Sequence, residues 1–154
     1  MTVSVRSADS HDVSAIQALE EQTPAAAHWT AAQYRKLVTT GVILVAEEAA
    51  VMSAERTGTI SGFLCARDVA GEWEVENVAV AASILRQGVG SGLLRALMER
   101  AKSEGAKAIL LEVRESNLAA RRLYEKHGFQ ETGRRRNYYN HPPEDAVLYT
   151  LGVA

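Results

Sequence analysis

Cysteine and proline are scarce in this chain: its 154 residues contain one cysteine, Cys65, and three prolines. One thiol cannot form an internal disulfide, so a stapled secreted scaffold is excluded and a reducing compartment fits the composition. Neither sign of charge is in excess. Lysine and arginine number 17 against 19 aspartates and glutamates, a net charge of −2, whereas proteins that track a nucleic-acid backbone carry a basic surplus. Long hydrophobic runs are missing as well. The longest, Val42 to Ala46 and Ala108 to Leu111, fall far short of the roughly 18 residues a membrane span needs. The segment Met1 to Asp9 has neither the apolar core nor the small-residue cleavage site of a secretion signal. Four histidines, His11, His28, His127 and His141, include no pair at ligand spacing, so no metal site is expected. These absences point to a cytoplasmic protein with no direct nucleic-acid partner and no membrane partner.

What is present is ordinary globular composition, 47% hydrophobic and 23% charged. A chain of this length forms one domain, residues 1–154, that buries about 68% of its unfolded surface. Val3 and Val5 suggest a short first strand, after which Asp9 or Ser10 caps a helix with Val13, Ile16 and Leu19 on its apolar face, ended by Pro24. A second helix starts at Thr30, carries Tyr34, Leu37 and Val38, and stops at Gly41. Val42–Ala46, Thr59–Arg67 and Trp73–Val80 are rich in β-formers, and turn residues at Thr57-Gly58 and Gly71 make them an antiparallel meander. Ser91–Ser103 places Leu93, Leu94, Leu97, Met98 and Ala101 on one helical stripe closed by Gly105. Lys107–Arg114 then reads as a central strand covered on both faces and parallel to the strand ending at Val80. Asn117–His127 is a helix stopped by Gly128, and Phe129–Arg135 and Glu144–Leu151 are the last strands. The expected fold is α/β (mixed α+β): a central mixed, mostly antiparallel twisted sheet of about seven strands, flanked by about four helices.

The segment Arg86 to Gly92 contains Gly88, Gly90 and Gly92 just ahead of the amphipathic helix. Such glycines let backbone N–H groups face a phosphate at a helix N-terminus, and equally serve as a plain turn and cap. No Gly-Lys pair is present, which removes a Walker loop, and Leu93 stands where a third dinucleotide glycine belongs. Val89 breaks a Gly-x-Ser-x-Gly pattern around Ser91, and Cys65 lies inside a strand without a nearby histidine, so no hydrolase nucleophile is evident. Arg134, Arg135 and Arg136 are either a solvated strand end or a contact for phosphate or an acidic substrate. Glu112 shares a strand face with Leu110 and Arg114, which makes it either half of an ion pair or a working carboxylate. Tyr124, near the stripe of Ala120 and Leu123, is core filler or a proton donor.

Chain order brings these features together. Asn77-Val78-Ala79-Val80, Gly88-x-Gly90, the run Leu111 to Asn117 and the run Leu123 to Phe129 resemble, over residues 73–151, the acetyl-CoA-binding core of the GNAT N-acetyltransferases. Arg135-Arg136-Asn137-Tyr138-Tyr139 followed by Glu144-Asp145-Ala146, with Trp29-Thr30 earlier in the chain, is similar to the bacterial ribosomal-protein alanine N-acetyltransferase (RimI) group. The resemblance implies that Val78, Ala79 and Val80 pair with the pantetheine arm of acetyl-CoA. It implies that Arg86, Gln87, Gly88, Val89, Gly90 and Ser91 hold the pyrophosphate, and that Asn117 and Tyr124 also contact the cofactor. Glu112 would be the general base, through water, Tyr124 the general acid for the departing thiolate, and Trp29 and Tyr138 would meet the acceptor. Leu85 departs from the pattern, standing where the family usually has glutamine or arginine. Because backbone N–H groups make most contacts in such a loop, a modest loss of affinity or a shifted contact from Arg86 is expected.

The implied activity is transfer of acetyl from acetyl-CoA to an N-terminal alanine amine, the acceptor being a small-subunit ribosomal protein, by direct transfer in a ternary complex. Two alternatives share these residues: acetylation of a small-molecule amine, and a non-catalytic module that only binds acetyl-CoA.

Overall fold

In the computed structural model, which describes residues 3–23, 26–48, 59–81 and 88–153, the strands are β1 (Val3–Ser7), β2 (Val42–Glu48), β3 (Thr59–Val69), β4 (Glu72–Val80), β5 (Ala108–Arg114), β6 (Gln130–Tyr139) and β7 (Glu144–Gly152). The helices are α1 (Val13–Glu21), α2 (Ala31–Thr40), α3 (Val89–Ser103) and α4 (Leu118–Lys126). One sheet orders the strands β1-β2-β3-β4-β5-β7-β6. Pairings β1/β2, β2/β3, β5/β7 and β6/β7 are antiparallel. β4 and β5 are parallel, with Glu72 opposite Ala108 and Glu74 opposite Leu110, as a helical connection between two strands requires. This is the mixed, mostly antiparallel sheet with four helices that the sequence implied. The expected stops at Pro24 and Thr57-Gly58 lie outside the described residues.

The chain divides into two compact units, Met1–Arg67 with Glu76–Glu99, and Asp68–Val75 with Arg100–Ala154. In the first unit, the Asp9 side chain accepts from the His11 N–H, and a short 3-10 turn over Ser10–Asp12 leads into α1. Thr30 caps α2, its hydroxyl accepting from Gln33 N–H while the Gln33 side chain accepts from Thr30 N–H. The apolar stripes then meet the sheet: Val13, Ile16, Tyr34, Leu37, Ile43, Val45 and Phe63 form one buried cluster, each large side chain contributing about 1.5–3 kcal/mol. Gly62 brings α3 close to β3, since a Cβ there would stand 3.1 Å from Val89 Cγ1, 3.2 Å from Leu93 Cδ1 and 3.2 Å from the Ala79 carbonyl. That approach fixes the start of α3 beside β4 at Ala79.

In the second unit, β5 lies between β4 and β7 in the sheet order, as expected of a central strand. Only one of its faces is fully buried, however. Ile109, Leu111 and Val113 are buried whereas Leu110, Glu112 and Arg114 are half-buried, so the apolar run marks a central strand with one working face. Gly128 has φ +93°, the left-handed conformation that suits a glycine after a helix. β6 does not end at Arg135: its ladder breaks after Arg135/Ala146 and resumes at Tyr139/Glu144. Asn137 takes φ +50° and gives its N–H to Asp145 Oδ1 at 2.9 Å, which pushes residues 136–138 out of the ladder as a bulge.

Arg6 clamps β1 to the 3-10 turn and to β2, with Nη1 and Nη2 on Asp12 at 2.8 and 2.9 Å and Nε on Glu47 at 2.8 Å. The guanidinium holds the Asp12 carboxyl below its ordinary value, so the clamp stabilises the fold above the unfolded aspartate pKa and is lost as pH falls below about 4. Asp12→Asn is expected to cost about 1–3 kcal/mol at pH 7 and to approach wild type in strongly acidic buffer, as read by urea unfolding at both pH values.

Candidate active site

The residues expected to meet acetyl-CoA fall largely in the first unit. Val78 and Val80 are half-buried on β4 and flank the buried Ala79. α3 begins at Val89, two residues before the expected start, so Val89 and Gly90 lie in its first turn, where helix N–H groups have no intrahelical acceptor. Gly88 precedes them with φ +83°, and among the described residues, its chain neighbours aside, no atom lies within 4 Å of the place a Cβ would take; the first turn of α3 contains no acidic residue. An open glycine corner leading into an uncharged helix N-terminus suits a phosphate-bearing ligand. Arg86, Gln87 and the departing Leu85 lie outside the described residues. Trp29 is half-buried with its ring 5.3 Å from that of Tyr34. Cys65 is fully buried, and burial pushes its thiol well above the ordinary range, which suits packing and not nucleophilic attack.

The second unit holds the candidate acid and base. Glu112 points from the half-buried face of β5 and forms an ion pair with Arg135, Nε to Oε1 at 2.9 Å. Sequence spacing offered Arg114 as its nearest cation, but Arg114 instead pairs with Glu144 at 3.2 Å and lies 4.3 Å over the Tyr139 ring. Arg135 and Arg114 both stand opposite the fully buried Ala146 of β7, one from each side. This register lets Arg135 reach across β7 to Glu112, which stands opposite Leu148. No local spacing could have revealed this partner, because it depends on two strand registers at once. Arg135 also lies 5.5 Å from the centre of the Tyr138 ring, and Tyr138 itself is half exposed on the β6 bulge.

The basic run is thus largely neutralised by carboxylates: Arg134 is bound by Glu131 at 2.8 Å and Glu115 at 2.6 Å. Tyr124 is buried in α4 against Phe129 and Tyr149, ring centres 5.9 and 6.1 Å away. Burial, with a smaller effect of Tyr139, has its phenol pushed up to about 12. Asn117 is the N-cap of α4 and not its first helical residue, its Oδ1 accepting from Ala120 N–H at 3.2 Å. That contact uses the oxygen and says nothing against a ligand donor role for Nδ2.

A cavity of about 530 Å³ in the first unit is lined by Arg6, Asp12, Leu19, Gln22, Glu47 and Ile60 among others. Its described lining includes none of the expected site residues, and Arg6 is already engaged by two carboxylates. Among the described residues no cluster of three metal-ligating side chains occurs, and no helix is long and apolar enough to cross a membrane.

With this geometry in place, comparison with known proteins identifies the class. Residues 13–129 match the model of the Acetyltransferase (GNAT) family, and the chain belongs to that family of acyltransferases, which use acetyl-CoA as donor. It is 38% identical over 101 residues to the [ribosomal protein bS18]-alanine N-acetyltransferase of Escherichia coli strain K12, covering 64% of this chain and 68% of that one. A crystal structure of the ribosomal-protein-S18-alanine N-acetyltransferase from Escherichia coli superposes with a TM-score of 0.83 at 28% identity, covering 99% of this chain and 95% of the other. Arabidopsis thaliana NAA60 in complex with acetyl-CoA shares the fold, with a TM-score of 0.89, 15% identity and 99% of each chain covered.

A phenol pushed up to about 12 remains protonated throughout the neutral range. Ultraviolet titration of wild type minus Tyr124→Phe is therefore expected to give a phenolate signal near pH 12; a signal at the ordinary value of about 10 contradicts the buried assignment.

Proposed function

We propose that this acyltransferase moves the acetyl group of acetyl-CoA onto the N-terminal α-amine of a protein, alanine first, and that a small-subunit ribosomal protein is its acceptor. The reading is supported by the likeness to alanine N-acetyltransferases. The observation that carries it is a carboxylate, Glu112, on the half-buried face of β5 together with a phenol, Tyr124, that burial keeps protonated.

In this reading Val78, Ala79 and Val80 line the pantetheine arm, while Gly88, Val89, Gly90 and Ser91 offer first-turn groups to the pyrophosphate, assisted by Arg86, Gln87 and Asn117. Trp29 and Tyr138 contact the acceptor peptide. Glu112 accepts a proton from the acceptor ammonium, through water, the neutral amine attacks the thioester carbonyl, and Tyr124 gives its proton to the departing sulfur. Proton and bond changes balance: one C–N bond forms and one C–S bond breaks, the second proton of the attacking nitrogen passes through water to restore the Tyr124 phenol, the proton taken by Glu112 goes to solvent, and the amide and free thiol leave.

Simple energetics favour an N-terminus over a lysine. Deprotonating a terminal amine of pKa about 7.8 at pH 7 costs about 1 kcal/mol, against about 4.6 kcal/mol for a lysine near 10.4. The buried, inert Cys65 supports direct transfer and not an acetyl-enzyme. Arg135 has a part as well, since an acceptor ammonium carries the same charge as the guanidinium that it displaces from Glu112.

A mass-spectrometric assay with acetyl-CoA is expected to place the acetyl group on the terminal amine of peptides beginning Ala-Arg and not on internal lysines. Acetylation of small amines alone would discard the protein acceptor, and binding without turnover would favour the non-catalytic alternative. Tyr124→Phe and Glu112→Gln are each expected to lower kcat by about 10²-fold or more, with acetyl-CoA affinity retained by calorimetry. Arg135→Met is expected to lower the peptide KM by no more than about fivefold, because exposed ion pairs contribute at most about 1 kcal/mol; a rise in KM would show that Arg135 helps to bind the acceptor.

A further inference from the structure

Glu20 takes no part in the chemistry above, yet it is 4% exposed. A carboxylate removed from water is costly unless its oxygens are well partnered. Glu20 Oε1 accepts the Trp29 N–H at 2.9 Å and lies 3.3 Å from His28 Nδ1, and Oε2 accepts the Tyr34 hydroxyl in a short hydrogen bond. The phenol has one proton, and it goes to Glu20, so the Tyr34 oxygen is left to accept from Asn77 Nδ2 at 3.1 Å. Asn77 is buried too. Its amide thereby acquires a fixed orientation: Oδ1 accepts Ala27 N–H at 2.9 Å and Nδ2 donates to the Ala27 carbonyl at 3.0 Å.

Two buried polar side chains joined through one phenol therefore hold both backbone groups of Ala27 and the N–H of Trp29, in a segment with no regular secondary structure. Asn77 immediately precedes Val78 on β4. The segment bearing Trp29 is thus tied to the strand assigned to the pantetheine arm, fifty residues away in sequence.

We propose that Glu20 is a positioning residue for acceptor binding: through Tyr34 and Asn77 it holds Ala27 to Trp29 in the conformation that receives the acceptor peptide. The proposal rests on the reading that Trp29 contacts the acceptor. Glu20→Gln nearly preserves volume but replaces one acceptor oxygen with a donor. With its remaining oxygen on Trp29 N–H, the new NH2 faces a phenol that already accepts from Asn77, and the phenol proton loses its partner.

The test is steady-state kinetics on the full chain with acetyl-CoA and an Ala-Arg peptide, for wild type, Glu20→Gln, Tyr34→Phe, the double variant and Trp29→Ala. Loss of one charge-assisted contact is expected to raise the peptide KM about tenfold in Glu20→Gln, with kcat and the acetyl-CoA KM within about twofold. Tyr34→Phe, which serves if Glu20→Gln does not fold, is expected to act in the same direction, and the double variant to be no worse than the stronger single one, because the three side chains act as one unit. Acrylamide quenching of Trp29 in a Trp73→Phe background is expected to increase with Glu20→Gln. A role in stability alone would reduce active enzyme, and hence kcat, without moving the peptide KM, and that result overturns the proposal. If Trp29→Ala raises the peptide KM while Glu20→Gln and Tyr34→Phe do not, Glu20 fails and the acceptor reading stands. If Trp29→Ala leaves the peptide KM unchanged, or wild type acetylates no peptide, the acceptor reading fails and the proposal falls with it, whatever the quenching shows.

Discussion

The register of β5 against β7 is the constraint on which the candidate chemistry depends. Side chains alternate along a strand with a period of two, so the pairing of Glu112 with Leu148 and of Arg114 with Ala146 decides which residues enter the core. Ile109, Leu111 and Val113 are buried, and Glu112 is left on the half-buried face. A slip of one residue would drive the carboxylate into the apolar side and turn Leu111 outward. The antiparallel β6/β7 hairpin then adds Arg135 on the far side of Ala146, and the ion pair with Glu112 follows from the two registers together.

Electrostatics differ sharply between the two candidate groups. Tyr124 is enclosed by Phe129 and Tyr149, and burial, with a smaller effect of Tyr139, keeps its proton. Glu112 is half-buried and paired with the more exposed Arg135. In the proposed reaction these would be the proton donor and the proton acceptor that acyl transfer to an amine requires. Burial likewise pushes the Cys65 thiol well above its ordinary range.

In the first unit, polar groups are buried for a different purpose. Gly62 lets α3 settle against β3 and β4, while Glu20 and Asn77, joined through Tyr34, satisfy the backbone of an irregular segment that no sheet or helix could satisfy. Buried backbone N–H and C=O groups must find partners, and here side chains from α1 and β4 supply them. Arg6 does comparable work at the exposed edge, where it joins β1 to Asp12 and Glu47.

Much of the fold was legible because local rules suffice for it. The leucine stripe of α3, the capping residue Thr30, the glycines at Gly41 and Gly128 and the apolar run of β5 are all written in spacings of a few residues. The ordered motifs around Gly88, Glu112 and Tyr124 likewise pointed to the family that the comparison identifies. What spacing could not give was set by contacts between distant segments. The partner of Glu112 is Arg135 and not Arg114, β6 continues past Arg135 through a bulge, the β5 face bearing Glu112 stays half-buried, and Glu20 meets Asn77 only through Tyr34. The sequence by itself determined elements, core stripes and family, because these arise from periodicity and turn chemistry along the chain. Only the tertiary structure decided which charges meet and which segment each buried polar group holds, because those outcomes depend on strand register and on burial by residues tens of positions away.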